Sequence, residues 1–304
     1  MRIAYLIFAY KNPKLIERTI RHLNREDAAF FIHIDRKSDL RDFAAIQGPN
    51  VFFTERRLAV YWAEFSGVEA ILLLMRRALE HPVRHGYFVL LSGSEFPLRS
   101  GEYIHAFFER NRGSEFISMM KMPAPGKPLS KLNTVRYPST RPVLRFVFRG
   151  LAKFGLARRD YRKHFGNLEP YSGVTWWALS REACEYVVEF AERDRALADY
   201  CRNIHAPEET YIHTILGNSP FGTRRRRCLV YEEWSPTGPR AHPERITEKH
   251  LEYFASQDEV SPKDLYGPGE LLLARKFSDE DMPLVERLAA IISKKPGLST
   301  VTRQ

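Results

Sequence analysis

The first hundred residues alternate short apolar runs with segments of helical periodicity, and this alternation constrains the fold most strongly. The predicted strands are 3–9, 30–34, 51–53 and 87–91, and the predicted helices are 13–23 and 62–79. Strands separated by helices are typical of βαβ units, so the sequence predicts an α/β fold whose mostly parallel sheet is flanked by helices. Because ligands of such sheets bind beyond the carboxyl ends of the strands, the loops there are the first candidates for a site.

The composition changes between residues 122 and 170. A Pro/Gly-rich loop at 122–128 is followed by a basic stretch, and then a strand is predicted at 171–180. Further helices are predicted at 181–194, 207–216 and 282–293. We expect a single domain over residues 1–278 that contains a basic insertion at about 123–169, with a C-terminal helix and tail at 279–304.

The chain carries 47 Lys and Arg against 37 Asp and Glu, a net charge of +10, which predicts an anionic partner. Its three cysteines are too few for a disulfide scaffold and suit a reducing compartment. No signal-peptide pattern occurs, and no apolar run approaches the ~20 residues that cross a bilayer. We therefore expect a cytoplasmic protein, and contact with the inner face of the cell membrane stays open.

Two acidic residues follow predicted strands. Asp35 lies directly after strand 30–34, where a carboxylate can accept hydrogen bonds from a ribose or a uracil ring. Glu95 lies in the loop after strand 87–91, where it could bind sugar hydroxyls. The alternatives are an Asp that caps a turn and a solvated Glu in a tight turn.

Two further patterns concern aromatic and acidic side chains. Adjacent strand residues face opposite sides, so one of Trp176 and Trp177 can belong to the core while the other faces a cleft as a sugar platform. The alternative is that both rings belong to the core. Glu208 and Glu209 begin the predicted helix 207–216, where they either complement the helix dipole or supply a general base.

A basic pair follows a short apolar run near the C-terminal end. Arg275 can donate hydrogen bonds to two phosphate oxygens and Lys276 can add a point charge, which suits a diphosphate. The alternative is a solvated basic pair. P-loop, dinucleotide-binding and zinc motifs do not occur. The acidic run 279–281 is interpreted as a helix start, so no metal site is predicted.

Taken together and in this order, these segments resemble the core-2/I-branching β-1,6-N-acetylglucosaminyltransferase and peptide O-xylosyltransferase family. The segments that carry the resemblance are His33–Ser38, Trp62–Glu69, Leu91–Pro97, Trp176–Arg181, Pro207–Tyr211 and Ala274–Phe277. The resemblance implies a GT-A-like (Rossmann-like) fold, a UDP-sugar donor, an inverting mechanism and no metal or other cofactor. The sugar is xylose or N-acetylglucosamine, transferred to a glycan, peptide or glycolipid.

The resemblance also implies roles for single residues. The general base matches Glu209, and the cation that contacts the diphosphate matches Lys276, with Arg275 beside it. The other expected donor contacts are Ala9, Tyr10, Asp35 and Arg240, and the expected acceptor contacts are Glu95, Trp177 and Trp234. Residues 123–169 match the family little, so the acceptor stays open.

Three other functions compete with this interpretation. Nucleic-acid binding is suggested by the net charge and by the arginine run 224–227, although no nucleic-acid module is recognised. A membrane surface would suit residues 141–163, where basic residues at every fourth position predict an amphipathic helix; a helix packed on the domain is the alternative. A glycoside hydrolase would need a second carboxylate opposite Glu209, and none is convincing.

Overall fold

The structure, a computed structural model, describes residues 1–234, 243–262 and 264–295. Its strands, numbered in chain order, are β1 (Ile3–Ala9), β2 (Ala28–Ile34), β3 (Val51–Phe53), β4 (Tyr87–Leu91), β5 (Phe96–Pro97), β6 (Glu115–Lys121), β7 (Tyr171–Ser180), β8 (Arg225–Arg226), β9 (Val230–Glu232) and β10 (Leu273–Arg275). Its helices are α1 (Pro13–Leu23), α2 (Phe65–Leu79), α3 (Gly101–Arg110), α4 (Ser130–Asn133), α5 (Pro142–Lys153), α6 (Arg162–Phe165), α7 (Arg181–Arg193), α8 (Arg195–Cys201), α9 (Tyr211–Gly217), α10 (Glu248–Ser256) and α11 (Met282–Ser293). Short 3₁₀ turns occur at Leu40–Phe43, Pro207–Glu209, Pro220–Arg224 and Asp279–Asp281.

The central sheet has seven strands in the order β3-β2-β1-β4-β7-β6-β8. Strands β1 to β4 pair in parallel, and β7 runs antiparallel to both of its neighbours. Helix α2 packs against β1 and β2, and the apolar side chains between sheet and helices form the main core. The prediction of an α/β fold with a mostly parallel sheet is confirmed.

A second, three-stranded sheet was not predicted from the sequence. Its order is β5-β10-β9, and β10 pairs antiparallel with β5 and parallel with β9. A separate apolar cluster lies beneath it, in which α11 packs with Val285 and Leu288 against residues that include Leu15 and Phe96. This sheet brings three segments that are distant in sequence to the carboxyl-end edge of the central sheet.

Two predicted helices have different bounds in the structure. The helix predicted at 62–79 begins at Phe65, because Ala63 adopts a left-handed φ of 57° that no helix continues through. The helix predicted at 207–216 is a 3₁₀ turn over Pro207–Glu209 followed by α9, since Thr210 has φ −132° and interrupts the helical backbone. Both breaks lie beside the candidate site.

The basic insertion is partly anchored to the body of the molecule. Leu132, Tyr161 and Phe165 are buried, whereas α5 buries no residue. Within the described ranges, no helix combines the length and the apolarity needed to cross a membrane. Residues 296–304 of the predicted tail lie outside the described residues, and the predicted domain limits stay a prediction.

Candidate active site

The carboxyl ends of β1 and β2 meet at one edge of the sheet, as the predicted donor contacts require. Asp35 N–H donates to the Ala9 carbonyl at 2.8 Å, and Ser38 Oγ donates to the Tyr10 carbonyl at 2.8 Å. The buried Asp35 carboxylate accepts from Lys37 Nζ at 2.6 Å and from the Lys37 amide at 2.9 Å. These contacts hold the two loops together beside Tyr10, whose side chain is exposed.

The loop after β4 is held by its own carboxylate. Glu95 accepts hydrogen bonds from the Ser92 amide and hydroxyl, both at 2.7 Å, and from the Ser94 amide at 3.2 Å. The Arg275 Nε atom lies 3.1 Å from Glu95 Oε1, an ionic contact without hydrogen-bond alignment. Glu95 is 1% exposed, so it has no oxygen to offer a sugar hydroxyl. The prediction that Glu95 contacts the acceptor is wrong, because its carboxylate holds this loop.

The same network gives Arg275 two carboxylate partners, and its diphosphate role stays a prediction. Its guanidinium pairs with Glu232 as well as Glu95, and it stacks 4.4 Å from the centre of the Trp176 ring. Two carboxylates more than balance its charge, and its side chain is only 12% exposed. Arg275 therefore ties β10 to β9 and to the loop after β4, and it leaves the neighbouring Lys276 as the available cation.

Lys276 is positioned differently from Arg275. Among the described residues, no carboxylate lies within ion-pair distance of the Lys276 or Lys11 ammonium group. Burial lowers the pKa of Lys276, and the nearby charges of Lys11 and Arg275 lower it further. Cations that repel one another without a paired anion are typical of an anion-binding site. Lys11 follows β1 by two residues, which places this cationic cluster at the carboxyl edge of the sheet.

The tandem tryptophans are both buried in the main core, which is the alternative that the sequence left open. Trp177 is 2% exposed in the core, which corrects its predicted contact with the acceptor. Trp176 lies on the site side, where its Nε1 donates to Glu232. Trp234, which is 50% exposed, donates through Nε1 to the other oxygen of Glu232 at 3.1 Å. Of these rings, Trp234 alone retains an accessible surface for a ligand.

The candidate base lies at the end of a constrained turn. Ala206 adopts a left-handed φ of 49°, and its N–H donates to the Ala63 carbonyl at 3.1 Å. The Pro207–Glu209 turn then leads into α9, whose His213 is buried and bonded to the Val174 carbonyl at 2.8 Å. The base is therefore attached to a rigid element that packs on β7.

Two lysines of the basic insertion hold the Glu209 carboxylate. Lys131 Nζ donates to Glu209 Oε2 at 2.8 Å, and Lys127 Nζ donates to the same oxygen at 3.0 Å. Burial would raise the pKa of Glu209, but the charges and hydrogen bonds of Lys131 and Lys127 outweigh it and lower the pKa below the usual value. Glu209 is thus ionised at neutral pH. Within the described ranges, no donor reaches its Oε1.

Glu208, next to the candidate base, has the opposite electrostatics. Burial and the charge of Glu209 raise the pKa of Glu208 to about 7, and its Oε2 has no hydrogen-bond partner among the described residues. The turn therefore carries one clamped, ionised carboxylate and one carboxyl that titrates near neutrality. Both belong to one turn, which leaves the second carboxylate of a glycoside hydrolase unidentified.

Tyr266 senses the charges of both Glu209 and Glu232. The pKa of Tyr266 is raised to about 12, first by burial and also by the charges of Cys228, Glu209 and Glu232. Tyr266 therefore lies within electrostatic range of both carboxylates.

Sequence reasoning missed four contributors to this site. Lys127 and Lys131 lie in a segment that was interpreted only as a basic loop, although its lysines lack a local acidic partner. Lys11 follows a predicted strand directly, which was a usable signal. Trp62 is 84% exposed in the loop before α2 and contacts the His205 ring, at 5.5 Å between centroids.

Two further predictions concern acidic and basic residues near the C-terminal end. Asp279 caps α1 through the Leu15 amide at 2.9 Å, and Asp281 caps Ser278, so the acidic run does begin a helix as predicted. In residues 1–234, 243–262 and 264–295, no three His, Cys, Asp or Glu side chains are grouped as metal ligands. Arg240, the second predicted diphosphate contact, lies outside the described residues.

Comparison with known proteins decides the family. The family model described as Core-2/I-Branching enzyme matches residues 3–255. The chain belongs to the Core-2/I-branching enzyme family. The matched range contains Glu209 and its lysines, whereas Lys276 lies beyond it. Membership agrees with the GT-A-like architecture of the central sheet and gives no support to the nucleic-acid-binding alternative.

Relatives of this Core-2/I-branching chain include two kinds of transferase. Human "Xylosyltransferase 2" is 27% identical over 236 residues, which are 72% of this chain and 25% of that protein. The zebrafish (Danio rerio) "Beta-1,3-galactosyl-O-glycosyl-glycoprotein beta-1,6-N-acetylglucosaminyltransferase 4" is 27% identical over 191 residues, 61% of this chain and 43% of the relative. The human "Probable beta-1,3-galactosyl-O-glycosyl-glycoprotein beta-1,6-N-acetylglucosaminyltransferase 7" is 24% identical over 302 residues, 93% of this chain and 66% of the relative. The chain spans about a quarter of the length of the xylosyltransferases that it matches.

Proposed function

We propose that this chain is an inverting glycosyltransferase that moves xylose or N-acetylglucosamine from a UDP-sugar to an acceptor hydroxyl, forming a β-linkage. The observation that carries the proposal is the Glu209 carboxylate, ionised by two lysines on Oε2 and open at Oε1. Family membership supports the same reaction class. The names of the relatives support a xylosyl or N-acetylglucosaminyl donor.

Glu209 would act on the acceptor. The acceptor oxygen attacks the anomeric carbon while the bond from that carbon to the β-phosphate oxygen breaks on the opposite face. The hydroxyl proton passes to Glu209 Oε1, and UDP leaves with the bonding electron pair. A positioned base of this kind contributes ~10²–10⁴-fold to the rate.

Lys276 and Lys11 would act on the leaving group. Negative charge grows on the β-phosphate oxygen during transfer, so fixed cations there stabilise the transition state more than the ground state. Both ammonium groups lie at the sheet edge without an anionic partner among the described residues, which supports this assignment. We propose that they supply the charge that a divalent ion supplies elsewhere, so that no metal or other cofactor is required.

The remaining contacts divide between donor and acceptor. The Ala9 and Tyr10 backbone and Asp35 would hold the nucleoside, and Trp234 would offer its exposed ring to the acceptor. Arg240 stays a prediction as a second diphosphate contact. The acceptor class, a glycan, a peptide or a glycolipid, and the cytoplasmic location stay predictions too.

A calorimetric screen tests the donor assignment. UDP, UDP-xylose, UDP-N-acetylglucosamine and UDP-glucose are each titrated into the full chain, with ADP-glucose as the control for base recognition. We expect binding of UDP and of UDP-xylose or UDP-N-acetylglucosamine. Equal affinity for ADP-glucose, or no binding of UDP, would contradict the proposal.

A further inference from the structure

Helix α5 (Pro142–Lys153) is poorly covered by the rest of the described chain. None of its residues is buried, although its sequence is largely apolar. Phe146 is 80% exposed, and Phe154, at the end of the helix, is 79% exposed. Exposed apolar side chains that cluster on one helix indicate a surface meant for contact.

The helix separates its apolar and basic side chains. Its exposed large apolar residues, together with Phe154 directly after it, lie on one broad side of the helix; those within the helix are Val143, Leu144, Phe146 and Val147. Its basic residues recur at every fourth position and share the adjacent face; they are Arg141, Arg145, Arg149 and Lys153. An apolar stripe beside a cationic stripe is the pattern of a helix that lies in the interface of an anionic bilayer.

The net positive charge of the chain arises from the segment around α5. Residues 116–159 contain ten Lys and Arg and no Asp or Glu. The rest of the chain contains 37 side chains of each sign, so its net charge is zero. The excess of positive charge is therefore concentrated in the segment that contains α5 and the lysines of Glu209.

Contacts join α5 to the rim of the candidate site. Phe148 packs on Tyr137 with 4.6 Å between the ring centres, and Arg145 lies 3.4 Å from Glu64 Oε1. The same Glu64 oxygen accepts the Ser139 amide at 2.7 Å. Glu64 belongs to the loop that carries the exposed Trp62, so α5 contacts the loop that presents this aromatic side chain.

A cationic cavity lies beside Lys131, one of the two lysines that hold Glu209. It has a volume of about 310 Å³ and is lined by Pro128, Ser130, Lys131, Thr134, Arg136 and His205. Burial lowers the pKa of Arg136, and the nearby charges of Arg145 and Arg149 lower it further, which places the cavity within electrostatic range of α5.

We propose that α5 docks on an anionic lipid bilayer and holds the Glu209 cleft against it, so that the acceptor hydroxyl is one carried at that surface. The second part rests on the proposed function. Phe146 and Phe154 insert among the acyl chains, and the arginines and Lys153 pair with lipid phosphates. The cavity beside Lys131 then faces an anionic head group that bears the acceptor.

Charge and apolarity together favour a bilayer over other occupants. A second copy of the chain would bring another uncompensated run of ten basic residues against the first, which repels it. The phosphates of a nucleic acid would pair with the basic stripe, but they would make no favourable contact with the exposed phenylalanines. A bilayer with anionic lipid satisfies both stripes.

Vesicle co-sedimentation of the full chain tests the docking. We compare phosphatidylcholine vesicles with vesicles that contain about one third phosphatidylglycerol, and expect at least ~10-fold stronger binding to the latter. Phe146→Ser/Phe154→Ser and Arg149→Gln/Lys153→Gln should each lose at least ~10-fold of this binding. Leu40→Ser/Leu265→Ser and Lys14→Gln/Lys249→Gln remove exposed apolar and basic residues elsewhere, and they should bind as the wild type does.

The other outcomes overturn the proposal. Binding independent of phosphatidylglycerol, or helix variants that bind like their controls, would remove the bilayer as the partner. A wild-type dimer that Phe146→Ser/Phe154→Ser dissociates would assign the surface to a second copy. Single-stranded DNA binding that only Arg149→Gln/Lys153→Gln weakens would assign it to nucleic acid. UDP affinity is measured on the same samples without lipid, so failure of the proposed function is seen separately from failure of docking.

Discussion

Lys131 Nζ lies 2.8 Å from Glu209 Oε2, and Lys127 Nζ shares that oxygen at 3.0 Å. The two lysines thus occupy one carboxylate oxygen and leave Oε1 directed to other partners. A base held in this way keeps a fixed orientation and stays ionised, at the cost of some basicity. The basic insertion, whose sequence matches the family little, therefore holds Glu209, the residue expected to be the general base.

Removal of the two lysines should shift the acidic limb of the activity profile. Lys127→Met/Lys131→Met takes away the cations that favour the ionised form, so the pKa of Glu209 rises and the acidic limb of kcat/KM moves to higher pH. The profile of UDP release against pH measures this. Lys121→Met serves as the matched control, because Lys121 pairs with Glu169 on the surface. An unchanged limb in the double variant would show that Glu209 is not the titrating base.

Glu208 should make the protein less stable as the pH rises. Its pKa is raised to about 7 in the folded chain, so between pH 4.5 and 7 the folded state holds a proton that the unfolded state has lost. The free energy of unfolding then falls through this window. Glu208→Gln should be more stable than the wild type at pH 8, with the difference vanishing below pH 4.5.

Urea unfolding at several pH values measures that difference. Glu209→Gln, one position away, should be destabilised at pH 8 because Lys127 and Lys131 lose their partner. If Glu208→Gln is less stable than the wild type at pH 8, the account of the unpartnered carboxyl is wrong.

Much of the fold could be predicted because it depends on local periodicity. Strands β1, β2, β3 and β4 are short apolar runs bounded by polar turns. The residues at the ends of these strands could therefore be predicted as site candidates without knowledge of any distant contact. The second sheet escaped prediction because its strands have two or three residues each, too few for a pattern. It exists because three distant segments pack over a separate apolar cluster.

The sequence predicts site residues that are recognised by their type and by their position at the end of a strand. It does not predict which charged side chains form ion pairs with each other. Glu95 and Arg275 were both assigned to ligands, yet each is the other's partner across 180 positions of chain. A single sequence does not reveal such pairing. The same holds for Lys131, whose partner Glu209 is 78 residues away.

We expect Lys276 to supply most of the positive charge that was predicted for Arg275 and Lys276 together. Lys276→Met should lower kcat/KM by at least ~10²-fold, because it removes a cation from the developing charge on the leaving diphosphate. Lys14→Met changes an exposed lysine at the start of α1 and should have no effect. Initial rates of UDP release measure both.

The same assay with EDTA tests the metal-free proposal. Activity of the wild type should survive the chelator. Loss of activity that Mn²⁺ restores, or a near-normal rate for Lys276→Met, would contradict the role of Lys276.

Arg275 should matter for stability because two buried carboxylates depend on it. Arg275→Met leaves Glu95 and Glu232 uncompensated, and should lower the free energy of unfolding by about 3–5 kcal/mol. The exposed pair of Arg41 with Asp39 is the control, and Arg41→Met should leave the free energy of unfolding nearly unchanged, because water screens this pair. Chemical denaturation measures both. A stable Arg275→Met protein that has lost UDP affinity would instead support the diphosphate role of Arg275.

The most direct test of the central claim is the transfer rate of Glu209→Gln with the donor that the calorimetric screen identifies. UDP affinity should stay within a few-fold of the wild type, while UDP release with acceptor present should fall by at least ~10²-fold. Glu208→Gln, the adjacent control, should keep most of the rate. Near-normal transfer by Glu209→Gln with unchanged UDP affinity would contradict the assignment of Glu209 as the general base.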